Sequence, residues 1–263
     1  MHFTKMHGLG NDYLYVYGEV PEQIADLSVK LSDRHFGAGS DGMIYISPSE
    51  VADFKMRIFN ADGSEAMMCG NGIRCVGKYV YDKGYTDKTR LKIETQSGIK
   101  ELALQLSCGK VKNVTVDMGI AVAKEEQRIT VAGVDLAYIP VSVGNPHAVL
   151  FVEDVKTAPL TTLGPLMEHH RAFPDGVNVE FVQVLSSDEL RMRVWERGSG
   201  VTMACGTGAC ASVMAAVSRG FCEYDTYVSV YLDGGVLKVK VAPDHTVTMT
   251  GPAETVYEGE TEI

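Results

Sequence analysis

The segments Cys69-Gly70-Asn71-Gly72 and Cys205-Gly206-Thr207-Gly208 each place a cysteine in a glycine-rich loop directly before a helical pattern, and they lie 136 residues apart. Other landmarks return in the same order at offsets of 134 to 137 residues: Gly-Asn at 10–11 and 144–145, the strand-end residues Asn60 and Glu196, and the hairpin glycines Gly98 and Gly235. Ordered landmarks at one offset indicate an internal duplication. We therefore expect an α+β protein of two similar lobes, with its functional site between them.

The pattern of strands and helices fits two such lobes. The first half reads as strands over 3–17, a helix from Pro21 to about Arg34, strands over 43–59 and a helix that carries Ile73, Val76 and Val80. The second half repeats this order and ends its helix near Arg219. We place the N-terminal lobe at residues 1–113 and the C-terminal lobe at residues 114–250.

Composition excludes several classes of function. The chain has 263 residues, a formal net charge of −10 and 24 scattered basic residues, so neither a nucleic-acid surface nor an anionic-lipid surface is expected. No stretch is long and apolar enough to span a membrane. The segment Met1–Gly8 lacks the features of a signal peptide, which predicts a cytoplasmic protein with reduced thiols.

The two cysteine loops are suited to binding an anion. Glycines allow a close approach of backbone N–H groups, and the first turn of a helix leaves about four of them unpaired with roughly half a positive charge. A carboxylate is a natural guest there, and the same field is expected to lower the pKa of the Cys69 and Cys205 thiols.

Two such loops facing each other would bring a sulfur to each side of one α-carbon. One thiolate would remove the α-proton, the charge would spread onto the bound carboxylate, and the opposite thiol would return a proton to the other face. This chemistry needs no cofactor, and none is expected.

Other readings of these residues are weaker. A zinc site is not expected because Cys69/Cys75 and Cys205/Cys210 have the wrong spacing. The remaining cysteines, at 75, 108, 210 and 222, are interpreted as structural residues. Gly37–Gly42 matches G-x-G-x-x-G but follows a helix and opens a strand, which is the reverse of a dinucleotide site. His147 and Glu196 occupy repeat-matched positions and are candidates to orient the thiols.

Long motifs in the chain resemble those of the diaminopimelate epimerase family over essentially the whole length. They are H-G-L-G-N-D at 7–12, F-N-A-D-G-S-E-A-M-M-C-G-N-G-I-R-C at 59–75, G-N-P-H at 144–147, F-P-D-G-V-N-V-E-F at 173–181, V-W-E-R-G from 194 and A-C-G-T-G-A-C ending at 210. The resemblance implies two pseudo-symmetric lobes, each a mixed or antiparallel sheet wrapped around a central helix. It also implies that the tail 251–263 returns to the first lobe and that Tyr257 contributes to a homodimer contact.

The resemblance implies a role for each site residue. Cys69 and Cys205 would be the acid/base pair of a pyridoxal-phosphate-independent isomerase, assisted by His147 and Glu196. The reacting carboxylate would be held by Gly70, Asn71, Gly206 and Thr207. The rest of the substrate would be recognised by Asn11, Asn60, Asn145, Asn178, Glu196 and Arg197. Some relatives carry Gln where this chain has Gly42, so no substrate contact is assigned to that position.

This polar set suits a substrate with an amino-acid group at both ends, because Arg197 can clamp a distal carboxylate while asparagines serve ammonium and carboxylate together. The expected reaction interconverts LL- and meso-diaminopimelate for lysine and peptidoglycan precursor synthesis. A proline or hydroxyproline racemase on the same fold is the alternative, although it would leave Arg197 and the asparagines without partners. A thiol redox protein is disfavoured by the absence of C-x-x-C.

Overall fold

A computed structural model describes residues 1–262, which fold into two compact units. The first unit comprises Met1–Val116 and the chain from Gly251 onward, and the second comprises Asp117–Thr250. Ile263, the last residue of the tail assigned above to the N-terminal lobe, lies outside the described residues. Strands and a few helices occur in both units, which confirms the predicted α+β class.

The first unit holds more residues in strands than in its two helices. The strands are β1 (His2–Gly8), β2 (Asn11–Tyr17), β3 (Gly42–Ser47), β4 (Phe54–Asn60), β5 (Glu65–Ala66), β6 (Arg90–Thr95), β7 (Gly98–Ser107), most of β8 (Lys110–Ile120) and, in the C-terminal tail, β19 (Glu254–Glu260). The helices are α1 (Ile24–Ser32) and α2 (Gly70–Asp82).

The second unit has the same kinds of element. Its strands are β9 (Val122–Ala123), β10 (Gln127–Val131), β11 (Val134–Ser142), β12 (Pro146–Phe151), β13 (Asn178–Ser186), β14 (Glu189–Glu196), β15 (Gly200–Val201), β16 (Tyr227–Leu232), β17 (Gly235–Val241) and most of β18 (Thr246–Pro252). Its helices are α3 (Leu160–Glu168) and α4 (Gly206–Ser218).

Strand pairing follows the same order in both units. The first unit reads β1–β2–β3–β4–β6–β7–β8, with β19 on the outer side of β1. The second reads β11–β12–β13–β14–β16–β17–β18. The second and fourth pairs of each series are parallel and the others antiparallel. Parallel neighbours need a crossover connection, and these four crossovers contain α1, α2, α3 and α4.

One helix in each unit is buried around its circumference. Every residue of α2 from Gly70 to Val80 is buried, and α4 is buried from Gly208 to Val217. The α4 sequence makes this possible because small residues (Gly, Ala, Ser, Cys) let the helix approach the strands around it closely, and it contacts β9, β11 to β14, β16 and β17. In α2, Ile73 and Val76 are fully buried, and each contributes roughly 1.5–3 kcal/mol to folding.

Helices α1 and α3 are instead half-exposed and cover apolar clusters on their own units. The predicted start of α1 at Pro21 is wrong by three residues, because Pro21 accepts a hydrogen bond from the Ile24 N–H in a separate turn. The helix also ends before the predicted Arg34. Its last residue is Ser32, the backbone of Asp33 is extended, and the Arg34 side chain forms ion pairs with Asp12 and Asp41.

No helix of the described residues 1–262 is long and apolar enough to cross a membrane.

Candidate active site

Each of the two predicted thiols is the N-cap of a buried helix. Cys69 precedes α2 and Cys205 precedes α4, both with extended backbone angles. The N–H of the third helical residue, Gly72 or Gly208, donates to the corresponding Sγ at 3.3 Å in both cases. Cap sulfurs therefore lie beside the N-terminal, partly positive end of each helix. Gly70 and Gly206 are the first residues of these helices.

In the first unit, Asn11 and Asn71 gather around Cys69. Asp41 accepts a hydrogen bond from Asn11 Nδ2 at 2.8 Å, which turns the carbonyl oxygen of Asn11 the other way. That Oδ1 atom lies 3.3 Å from Cys69 Sγ and 3.4 Å from Asn71 Nδ2. Arg74, which is fully buried, donates to Asn71 Oδ1 at 3.0 Å and to the Gly70 carbonyl at 3.0 Å. The amide groups around Cys69 are thus held in defined orientations.

Asn60 lies at the end of β4, where its side chain donates to Ser64 Oγ at 3.0 Å. Its strand partner is Gly42, and a Cβ atom at position 42 would lie 2.1 Å from the Phe59 carbonyl oxygen. Any side chain at position 42 therefore requires a shift of the backbone.

In the second unit, a chain of polar contacts leads to Cys205. The Cys205 Sγ lies 3.5 Å from Thr207 Oγ1, and Asn145 Nδ2 donates to that oxygen at 3.3 Å. Asn145 Oδ1 is 3.0 Å from His147 Nε2, and His147 Nδ1 is 2.6 Å from Glu180 Oε1. Four residues proposed from the sequence therefore form a series of contacts, and the series ends at Glu180, which was not proposed.

Glu196 also belongs to the surroundings of Cys205. Its carboxylate accepts a short hydrogen bond from Thr202 and lies within hydrogen-bonding reach of the Cys205 thiol. Burial raises the pKa of the Glu196 carboxyl, and the hydrogen bonds from Thr202 and Cys205 oppose that rise.

Asn178 and Arg197 form a neighbouring group in the second unit. Asn178 accepts a hydrogen bond from the Arg197 N–H at 3.0 Å and donates to the Pro146 carbonyl at 3.0 Å. The Arg197 guanidinium donates to the Asp175 carbonyl at 3.0 Å, and its stem lies over Gly176, where a Cβ atom would be 2.9 Å from Arg197 Cδ. Backbone contacts hold this side chain. Within residues 1–262 its guanidinium forms no ion pair with a carboxylate, and the Glu168 carboxylate acts on it only at longer range.

The expectation that the helix end lowers the Cys205 pKa is wrong. Burial raises the pKa of this thiol well above its usual range, and the carboxylates of Glu196 and Glu180 raise it further. Hydrogen bonds from Thr207 and from the Gly208 N–H act in the opposite direction but are weaker. Cys205 is only 4% exposed, so loss of solvation outweighs the favourable end of the helix.

The other four cysteines have unlike surroundings. Cys75, Cys210 and Cys222 are buried, and Cys108 is exposed. Burial raises the pKa of Cys75 and of Cys222 to about 11. In the described part of the chain, no group of three or more His, Cys, Asp or Glu side chains is arranged to hold a metal ion.

Three contributors to these surroundings were missed in the sequence: Tyr13, Asp41 and Glu180. The Tyr13 hydroxyl hydrogen bonds with Asn11 and Cys69, and burial raises its pKa well above the usual range. Tyr13 precedes His147 by 134 residues, so following the repeat two positions beyond Asn11 would have identified it. Glu180 is the one charged residue in the run Val177–Val182, and a charge inside an otherwise apolar strand was the available signal.

Comparison with known proteins gives matches over the full chain. The sequence model of the family described as diaminopimelate epimerase matches residues 3–124 and 139–256. A diaminopimelate epimerase of Acetivibrio thermocellus is 50% identical, covering 100% of this chain and 99% of its own length. One from Bacillus licheniformis is 49% identical, with 98% of this chain and 97% of the relative covered.

Solved structures share the fold at low sequence identity. A Bacillus anthracis phenazine biosynthesis protein of the PhzF family has a TM-score of 0.80 at 16% identity, covering 100% of this chain and 99% of its own. A hydroxyproline epimerase from Agrobacterium vitis, with bound trans-4-hydroxy-L-proline, has a TM-score of 0.76 at 18% identity, covering 98% and 90%. The fold is thus common to several enzymes, whereas the sequence match is specific, and this chain belongs to the diaminopimelate epimerase family.

Proposed function

We propose that this protein interconverts LL- and meso-diaminopimelate by moving one α-proton between Cys69 and Cys205. The observation that carries the proposal is the matched placement of the two thiols, each the N-cap of a buried helix whose third N–H donates to the sulfur at 3.3 Å. Family membership supplies the substrate, because the relatives described above bear the name of this reaction.

The proton transfer balances without a cofactor. The thiolate of one cysteine takes the α-proton, and the electron pair of the C–H bond passes into the adjacent carboxylate. The thiol of the other cysteine then gives its proton to the opposite face of the carbon, which inverts the centre and leaves that sulfur as the thiolate. Helix N–H groups at Gly70, Asn71, Gly206 and Thr207 would stabilise the charge on the carboxylate.

The resting protonation states follow from the surroundings of the sulfurs. Because burial and the carboxylates of Glu196 and Glu180 raise the pKa of Cys205, this residue carries its proton at neutral pH. We therefore assign Cys205 as the resting thiol. Turnover of the opposite stereoisomer begins with Cys205 as the thiolate and Cys69 as the thiol. Thr207, whose oxygen accepts a hydrogen bond from Asn145, can donate its hydroxyl to the Cys205 thiolate.

Recognition of the non-reacting end is assigned to Arg197 and to the asparagines 11, 60, 145 and 178. Arg197 supports this role because contacts within the unit fix its backbone N–H and its guanidinium. Within residues 1–262 the guanidinium has no carboxylate as an ion-pair partner. A distal substrate carboxylate would supply that partner. Proline and hydroxyproline have only one amino-acid group and would leave the charge unpaired.

Deuterium incorporation tests the function directly. Purified protein in D₂O, reduced and without pyridoxal phosphate, is expected to place deuterium at the α-carbon of LL- and meso-diaminopimelate and to bring both to one equilibrium mixture. Proline, hydroxyproline and lysine serve as the comparison panel, measured by NMR and mass spectrometry. Exchange with proline but not diaminopimelate would reject the assigned substrate, and a requirement for pyridoxal phosphate would reject the two-thiol chemistry.

We also propose that the protein is a cytoplasmic homodimer. Tyr257 on β19 packs its ring 6.1 Å from Phe3 and donates to the Ala38 carbonyl, yet remains 41% exposed. Phe36, in the same loop as Ala38, is 93% exposed, and β19 has a paired strand on only one side within residues 1–262. A second copy of the chain would cover these apolar groups and the open strand edge.

Light scattering after size-exclusion chromatography measures this state. The unsubstituted protein is expected to have the mass of two chains, and Phe36→Asp is expected to shift it toward one chain because it places a charge in the covered surface. A single-chain mass for the unsubstituted protein at micromolar concentration would reject the homodimer.

A further inference from the structure

Glu180 is an unusual residue for its place in the fold. It lies on β13, between β12 and β14, and none of its side chain is exposed. A carboxylate in such a place is costly unless it is paired. Its partner is His147, which is itself fully buried at the side chain, with Nδ1 2.6 Å from Oε1. An ionised carboxylate only accepts hydrogen bonds, so the imidazole donates through Nδ1–H.

A series of side-chain contacts connects His147 to Cys205. His147 uses its other nitrogen, Nε2, at 3.0 Å from Asn145 Oδ1, and Asn145 Nδ2 reaches Thr207 Oγ1 at 3.3 Å. Thr207 Oγ1 lies 3.5 Å from the Cys205 sulfur. A carboxylate that touches no solvent is therefore linked to the thiol by three side chains in series.

The first unit shows what the fold requires at the same place. Tyr15 pairs with Ile44 across β2 and β3, and Val149 pairs with Glu180 across β12 and β13, so Ile44 corresponds to Glu180. The helix glycines agree: a Cβ atom at Gly72 would lie 2.7 Å from Ile44 Cδ1, and one at Gly208 would lie 2.8 Å from Glu180 Oε1. An isoleucine fills this position in the first unit, so packing alone does not require a carboxylate at the same position in the second unit.

The carboxylate is also incompletely satisfied. Glu180 Oε2 is buried and has no hydrogen-bond partner in the described chain. A buried acceptor left unpaired costs about 1–3 kcal/mol of stability. Retaining an acid here works against folding, which is typical of residues kept for function.

We propose that Glu180 is a positioning residue of the epimerisation. It accepts a hydrogen bond from the Nδ1–H of His147 and thereby fixes the series of side-chain contacts that runs through Asn145 and Thr207 to Cys205. This inference rests on the proposed function. Glu180 does not touch the substrate in this scheme. It accepts the Nδ1–H of His147 and fixes the rotation of the ring, so that Nε2–H can donate to the carbonyl oxygen of Asn145.

The first test compares activity with stability. Glu180→Gln removes the negative charge beside the imidazole but keeps an oxygen that can accept the Nδ1–H, whereas Glu180→Ile copies the residue of the first unit. Both variants are expected to lower kcat by about 10- to 100-fold, the range found for residues that orient a functional imidazole from behind. The urea midpoint of Glu180→Gln is expected to stay close to that of the unsubstituted protein, because the amide oxygen can still accept the Nδ1–H. Glu180→Ile leaves that buried N–H unpaired and is expected to unfold at a lower urea concentration. Unchanged kcat, or loss of activity only in step with loss of folding, would overturn the proposal.

A double-mutant cycle tests whether Glu180 acts through His147. His147→Tyr, Glu180→Ile and their combination recreate the Tyr13 and Ile44 pair of the first unit in the second. If Glu180 acts through the imidazole, Glu180→Ile costs at most about twofold in kcat when His147 is already replaced. A full 10- to 100-fold loss in that background would mean an independent role and would contradict the proposal.

A third measurement needs no diaminopimelate. Iodoacetamide alkylation of Cys205, followed across pH by peptide mass spectrometry, reports the thiolate directly. The groups that act on it are Glu196 on β14, Glu180 on β13 and His147 on β12. Removing the Glu180 charge should lower the Cys205 pKa, so alkylation of Glu180→Gln is expected to rise at a lower pH than in the unsubstituted protein. Superimposable curves would overturn the proposed link.

Glu189→Gln is the matched control. Glu189 begins β14, accepts a hydrogen bond from the Tyr231 hydroxyl at 2.7 Å and has no contact with the chain that leads to Cys205. It is expected to retain activity and the Cys205 alkylation curve of the unsubstituted protein. If the unsubstituted protein does not act on diaminopimelate, the proposed function fails, while the alkylation curves still decide whether Glu180 governs Cys205.

Discussion

Replacing Cys69 or Cys205 with serine is expected to lower kcat/KM for epimerisation by at least about 10³-fold. General acid–base groups contribute about 10²- to 10⁴-fold each, and in this mechanism neither thiol can substitute for the other because they serve opposite faces of the carbon. Serine is the appropriate replacement, since its hydroxyl can still accept the N–H of Gly72 or Gly208 and so preserve the helix cap. Its own pKa is far too high for it to serve as the base.

Alanine variants separate the cap from the chemistry. Removing an N-cap acceptor costs about 1 kcal/mol of stability, so Cys69→Ala and Cys205→Ala should unfold at lower urea concentration than the serine variants but be equally inactive. Cys108→Ser is the control, because this thiol is exposed and lies in neither group of site residues. Stereoisomer conversion is followed by chiral chromatography. Near-normal conversion by either serine variant would remove that cysteine from the mechanism.

The features that could be predicted from the sequence are those that depend on residues close together in the chain. A cysteine flanked by glycines before a periodic helix predicts a cap sulfur at a helix start, and both Cys69 and Cys205 occupy such a position. The α+β class followed from alternating strand and helix periodicities, which depend only on neighbouring residues. The order of the landmarks located the corresponding residues of the two halves before any strand pairing was known.

What was missed depends on contacts between distant parts of the chain. Glu180 becomes a partner of His147 only because β12 and β13 pair in parallel, with Val149 opposite Glu180, and no local pattern fixes that register. The Cys205 pKa was predicted in the wrong direction for a similar reason. The helix end is visible in the sequence, but the burial of the sulfur and the approach of Glu196 and Glu180 are produced by tertiary packing.

These contacts also distinguish the two halves of the repeat chemically. Cys69 hydrogen bonds with Asn11 and Tyr13, whereas Glu196 and Glu180 place two carboxyl groups near Cys205. In the proposed mechanism one thiol gives a proton to the substrate carbon and the other sulfur takes one from it. The carboxyl groups that raise the pKa of Cys205 favour this residue as the proton donor of the resting enzyme.

Oxidation is expected to abolish activity completely and reversibly, by joining Cys69 and Cys205. In the proposed mechanism the sulfurs lie on opposite sides of one carbon at about 3–3.5 Å each, so an empty site reaches the S–S distance of about 2.05 Å when the sulfurs approach each other by about 4–5 Å. Diamide supplies the chemistry: two thiols lose two hydrogens and two electrons to form the disulfide, and the N=N bond of diamide is reduced to a hydrazine. Dithiothreitol should restore full activity.

The design of this experiment isolates the pair of interest. It is carried out in the Cys108→Ser background, so that the exposed thiol does not form mixed products, and cross-linked peptides are identified by mass spectrometry before and after reduction. Substrate bound between the sulfurs should slow the inactivation, because it occupies the space that the disulfide must close. Inactive oxidised protein in which both thiols are free would contradict a shared carbon atom. Cross-linking therefore tests whether both sulfurs act at one carbon atom, because the serine variants would lose activity even if the two thiols acted at separate places.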